Sequence, residues 1–140
     1  MKLYNSNLVP SPRRVRIFLA EKGVSIPCIE VDLAKLDHKT PEFSALNPFE
    51  TIPILELDDG TRIAETIAIC RYIEALWPEP NLFGVTALEQ AAVEMWQRQL
   101  EWRPLFPIAQ VVHGGNGKSA GSRLGCGQSA EGASRDGDCR

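Results

Sequence analysis

Apolar and polar residues alternate along the first eighty or so positions in short blocks, and the period changes from one block to the next. Lys2 to Asn5 reads as a short strand. In the following "PSPRRVRIFLAEKG", Val15, Phe18 and Leu19 share one helical face, Ser11 is placed to cap the start, Pro12 suits the first helical position and Gly23 closes the end. Cys28 to Leu33, "CIEVDL", returns to strict alternation, as a half-buried strand should. The chain therefore opens with a β-α-β unit.

A polar loop leads to Thr40-Pro41, which predicts a short helix ending near Asn47-Pro48. The run Ile52 to Leu57 is strand-like with Pro53 near its head. Proline donates no backbone hydrogen bond, so it belongs at a strand's start, edge or bulge. Asp59-Gly60 predicts a hairpin joining this strand antiparallel to Thr61–Ala64. Thr66 then predicts the cap of a helix that buries Ile67, Cys70, Ile73 and Leu76 or Trp77 and stops at Pro78. Past "WPEPNLFG", Thr86 and Glu89 have the spacing of a capping box, and Leu88, Ala92, Met95, Gln99 and Trp102 recur along one face. Pro104 and Pro107 kink or end this helix, and "IAQVV" at 108–112 follows. One helix with an apolar stripe makes no core alone. Residues 86–113 are accordingly expected to be the start of an all-helical domain, incomplete at its far side.

Composition divides the chain again. Residues 114–140 hold eight of its eleven glycines, no aromatic residue and one large aliphatic, Leu124, which predicts a disordered low-complexity tail. The chain of 140 residues is 44% hydrophobic and 24% charged, which suits one well-packed domain with little room for a second. A net charge of −3 without a basic run gives no electrostatic footprint for nucleic acid or an anionic membrane. No long apolar segment predicts a membrane span, and "MKLYNSNLVPSPRR" lacks the apolar stretch of a secretion signal, so a cytoplasmic protein with reduced thiols is expected. The four cysteines form neither C-x-x-C nor a metal-ligand spacing. Cys28 and Cys70 are expected as small core residues, and no metal is expected.

The order β-α-β, short helix, β-β-α, with proline heading the third strand opposite the first helix's N-terminus, resembles the thioredoxin fold. The missing C-x-x-C argues against a disulfide oxidoreductase. The motifs "NP-x-x-T-I-P-I-L" at 47–55 and "D-G-x-x-I-A-E-T" at 59–66, and the helix after "NLFG", resemble the glutathione transferase family over residues 1–113. That resemblance implies a thioredoxin-like α/β domain over residues 1–80, binding glutathione, and the opening of a helical domain at 86–113. It implies that Pro53 is cis and turns the backbone of Ile52 outward, so that Thr51, Ile52 and Pro53 clamp the cysteinyl backbone of glutathione like an added strand. Thr66 and the helix start behind it would hold the γ-glutamyl carboxylate, and Glu65 would face the γ-glutamyl ammonium. For the glycyl carboxylate the family places cations where this chain has His38 and Lys39, of which Lys39 is preferred.

Members of the family ionise the glutathione thiol with a Tyr, Ser or Cys near the first helix. Here that region reads "NSNLVPSPRR", Asn5 to Arg14, and aligning its Pro-x-Arg run on serine-type members puts Val9 at the serine. Tyr4 lies within the first strand and reads as core, while Ser11 is the nearest hydroxyl and a weak catalytic candidate. The pattern "P-x-P-R-R-V-R-I-F-L-A-E-K-G" looks like a bacterial and fungal branch in which the thiolate relies on the first helix's N-terminus and on polar groups of the helical domain; His113 is a second weak candidate of that kind. The implied function is detoxification, with glutathione as co-substrate conjugated to a small hydrophobic electrophile, by a homodimer in full-length members and with activity lowered here by the incomplete helical domain. The alternatives are a non-catalytic glutathione-binding or regulatory module of the same fold, and a relative performing glutathione-dependent isomerisation or peroxide reduction.

Overall fold

A computed structural model describes residues 1–108 and residue 111; His113 and the expected tail at 114–140 lie outside the described residues. The chain divides into two units between Gln97 and Arg98. The first contains β1 (Lys2–Asn5), α1 (Pro10–Glu21), β2 (Cys28–Glu30), α2 (Pro41–Leu46), β3 (Ile54–Glu56), β4 (Arg62–Ala64), α3 (Thr66–Leu76) and most of α4 (Ala87–Leu100). Its sheet has the order β2-β1-β3-β4, with β1 parallel to β2 and antiparallel to β3, and β3 antiparallel to β4. This is the thioredoxin-like arrangement.

Strand alternation sends side chains to opposite faces, and the two faces carry separate cores. Leu3 and Leu55 point to one face, where they pack with Val15 and Leu19 of α1 and Ile69, Cys70 and Ile73 of α3. Ile54 points to the other, where it packs with Val31 and Phe43 of α2. Tyr4 joins this second core, meeting the Phe43 ring edge-on at 6.2 Å, while its hydroxyl donates to Glu56 at 3.0 Å.

Several elements differ from the pattern-based expectation. The second strand stops at Glu30 because Asp32 Oδ1 accepts the backbone N–H groups of Ala34 and Lys35 and bends the chain. Cys28 is exposed rather than core, since β2 is an edge strand and all three of its residues face solvent. Ser11 does not cap α1. The helix begins one residue earlier, at Pro10, with Val9 in the cap position and no side-chain cap bond, and Ser11 is its exposed second residue. Thr66 is likewise the first residue of α3 rather than its cap; Glu65 holds that position. α3 buries Ile69, Cys70 and Ile73, the face set against α1, and leaves Leu76 and Trp77 exposed.

The ends of α1 and α3 away from these starts are tightly held. Gly23 at φ 65 lets its own N–H reach Ala20 O and the Val24 N–H reach Leu19 O, which closes α1 with a glycine-dependent reverse turn. The preceding Lys22, its side chain fully buried, donates to the Trp77 carbonyl at 2.8 Å and to the Pro80 carbonyl, and pairs with Glu74 of α3. The capping box of α4 forms as expected, with Glu89 N–H on Thr86 Oγ1 at 3.2 Å and Thr86 N–H on Glu89 Oε2 at 2.9 Å. The expected stripe of α4 is not buried: Leu88 is 80% and Met95 48% exposed, and Val93 packs on the first core instead. In the second unit the helix continues as a π-helical turn, Glu101–Leu105, around Pro104, whose missing N–H interrupts the regular ladder.

Candidate functional site

One end of the sheet gathers nearly every polar feature that the sequence singled out. The register pairs Tyr4 with Ile54 and Ile54 with Ala64, so one step further Asn5, Pro53 and Glu65 lie side by side, with Glu30 beyond Asn5. At this same end the chain leaves β1 to start α1 and leaves β4 to start α3. Two helix N-termini, with their unpaired amides and positive dipole ends, therefore open beside the head of β3.

Both starts lack a side-chain cap. In α1, Pro10 and Pro12 have no N–H, so the donors that its first turn can offer are the amides of Val9 and Ser11. In α3, Glu65 sits at φ 71, a backbone setting that costs a non-glycine residue about 1–3 kcal/mol and tends to persist at functional positions. Its carboxylate is exposed and makes no cap bond. Arg14 of α1 spans the two starts, donating from Nη1 to Thr66 Oγ1 at 3.3 Å. Because the threonine oxygen accepts there, its own proton stays available for an outside acceptor. Arg14 is a functional candidate that sequence reasoning passed over; the signal was an arginine about one turn inside a helix start, which reads equally well as a solvated charge.

The peptide bond Ile52–Pro53 is cis. Ile52 precedes β3, and its amide and carbonyl take no part in the turn and loop hydrogen bonds of the described residues. Thr51 is exposed, with its carbonyl and hydroxyl both accepting from Asn47 Nδ2 at 3.0 Å. Asn47, itself buried, also accepts the Phe49 N–H, so one side chain shapes the whole approach to Ile52. Lys39 is tied to the same loop through Glu50 at 2.6 Å. The lysine, and then Ser44, hold the Glu50 carboxyl below its ordinary range, so Lys39 approaches any anion with its charge already shared. Neighbouring His38 has a buried Nδ1 without a partner among the described residues.

Cys70 is no nucleophile. Burial pushes its thiol up to about 12, against a smaller opposing effect of the Arg14 charge, so it stays protonated in the core as expected. Among the described residues no cluster of His, Cys, Asp and Glu has the makings of a metal site, and no helix is long and apolar enough to cross a membrane.

Known proteins resemble this chain in sequence and fold. A family model described as the N-terminal domain of glutathione S-transferase matches residues 10–76. A probable glutathione transferase of Aplysia californica is 35% identical over 82 residues, which take in 59% of this chain and 85% of that protein. The chain belongs to the glutathione S-transferase family. Glutathione S-transferase 2 of Saccharomyces cerevisiae is 44% identical over 115 residues, 81% of this chain and 49% of the yeast protein. The crystal structure of Gtt2 from the same yeast superposes with a TM-score of 0.77 at 44% identity, covering 81% of this chain and 55% of that one. The chain thus spans about half the length of the curated relatives it first matches.

Proposed function

We infer that this chain binds glutathione where α1 and α3 begin and presents its thiolate to a small hydrophobic electrophile. The observation that carries this is the meeting, at one sheet end, of two helix starts without side-chain caps and the unengaged main chain of Ile52, within a glutathione S-transferase domain. A tripeptide with two carboxylates, one ammonium and one thiol matches that set. Ile52 pairs with the cysteinyl main chain as a short added strand. The γ-glutamyl carboxylate lies on the α3 amides and the Thr66 hydroxyl, with Arg14 behind it, and Glu65 takes the γ-glutamyl ammonium. Lys39 reaches the glycyl carboxylate by sharing itself with Glu50.

The thiol then lies at the start of α1. The helix dipole and the Val9 and Ser11 amides favour the thiolate over the thiol, so the proton leaves to solvent. The sulfur attacks the electrophilic carbon, a C–S bond forms, and with an aryl halide the halide departs with the bonding pair. No side-chain hydroxyl is needed in this scheme, which agrees with Ser11 lying exposed inside the helix.

Calorimetric titration with glutathione followed by conjugation of an aromatic halide tests both halves. Binding with turnover is the expected result. Binding without turnover would favour the non-catalytic module, and absence of binding would overturn the assignment.

A further inference from the structure

We propose that Glu30, on the edge strand β2, is a positioning residue for the thiolate, acting through the loop between β1 and α1 and resting on the glutathione assignment above. Residues 6–9 carry the chain from β1 to the start of α1. Their geometry therefore decides where the Val9 and Ser11 amides point. Glu30 fastens this link from the neighbouring strand. Its Oε1 accepts the Asn7 backbone N–H at 2.8 Å, and its Oε2 accepts Asn7 Nδ2 at 3.2 Å and Asn5 Nδ2 at 2.8 Å. The clasp holds the end of β1, at Asn5, and the second residue of the link, Asn7.

The bond to Asn5 also fixes which way that carboxamide faces. Turned over, its oxygen would meet a carboxylate oxygen. Held as it is, Asn5, only 2% exposed, keeps Oδ1 buried and without a partner among the described residues. Asn5 shares the pleat face of Leu3, the side covered by α1 and α3, so the orphaned acceptor lies beneath the helix starts. Leaving a buried acceptor unpaired is unfavourable, and a scaffold serving packing alone would place an apolar residue there. The arrangement fits a site completed by a hydrogen-bond donor of ligand or solvent.

A negative charge near the site, acting through space, would oppose thiolate formation; acting through the loop, it promotes it. The two roles therefore predict opposite signs, which makes the test decisive. Glu30→Ala should bind glutathione within about threefold of the unmutated chain, while the ionised fraction of bound glutathione at neutral pH, read from thiolate absorbance, falls by the equivalent of one pKa unit, about a tenfold drop in the thiolate-to-thiol ratio. Glu30→Gln should recover most of that fraction, because both asparagine carboxamides can turn over to accept from its amide. An unchanged or raised thiolate signal in Glu30→Ala would overturn the proposal, as would Gln behaving like Ala. Should Glu30→Ala fail to fold, Glu30→Asp keeps the charge but draws the carboxylate back by one methylene from Asn5 and Asn7 and must lower the signal too; no change there would equally overturn the role. If the unmutated chain binds no glutathione, the assignment and this proposal fall together, and the control shows which failed first.

Discussion

Four α-helices start in the first unit, and they start in two ways. α2 and α4 are closed by their own side chains: Thr40 accepts the Phe43 N–H at 3.3 Å, and Thr86 and Glu89 cap α4 reciprocally. α1 and α3 have no such bond, and both open at the same end of the sheet. Their opposite ends are the better secured, by the glycine turn after Lys22 and by the buried Lys22–Glu74 pair. The lesson is one of placement. On the function proposed above, caps sit where a helix only has to be stable, and the two starts facing the candidate site are left for glutathione to complete.

The largest effect should come from the secured ends. Glu74→Ala leaves the Lys22 ammonium buried without its counter-charge, and should lower stability by about 3–5 kcal/mol in urea unfolding. Little change would mean that α1 and α3 are anchored elsewhere.

Glu65 sharpens the contrast because binding and stability should move in opposite directions. Glu65→Gly relieves the positive φ, so folding stability should rise by about 1 kcal/mol even after glycine's entropic cost, whereas glutathione affinity should drop by about 1–3 kcal/mol. A variant that kept full affinity would remove Glu65 from the site, and one that lost stability would show that its positive φ carries no strain.

The capped helices should show the reverse. Thr86→Ala should cost about 1 kcal/mol of stability and leave glutathione affinity untouched. Backbone N–H groups of Thr86 and Val85, with the Thr86 side chain, hold the Glu89 carboxyl below its ordinary range. A depressed folded value means that this contribution is complete above the usual carboxylate range and disappears as pH falls through the depressed value. Acid unfolding of Glu89→Gln should accordingly be less steep on that limb. Ser11→Ala should do least of all, under about 0.5 kcal/mol, because the hydroxyl is exposed within the first turn and caps nothing.

The periods of Val15, Phe18 and Leu19, the Asp59-Gly60 turn and the Thr86–Glu89 spacing made the element order and sheet topology legible before any coordinates. Ile52, Pro53, Glu65 and Thr66 came forward as one candidate set through the resemblance of the motifs at 47–55 and 59–66 to the family, and the register brings the two motifs to one sheet end. The starts of α1 and α3 were not legible. Ser11 and Thr66 each satisfy the cap rule by residue type, but Val9 and Glu65 hold those positions in the fold, and Thr66 accepts from Arg14 instead. Glu30 was hidden for a different reason, since its partners lie more than twenty residues away, at the end of β1 and in the loop after it. The exposure of Leu88 and Met95 was legible as a stripe in need of cover, but not how little of it the described residues would bury.

Backbone amide mapping tests the central claim most directly. On adding glutathione, the amide resonances of Ser11, Ile52, Thr66 and Ile67 should shift together with one dissociation constant, while those of Phe43 at the start of α2 and Ala87 at the start of α4 stay in place. Shifts confined to the capped starts, or no shift at the uncapped ones with glutathione bound, would contradict the account.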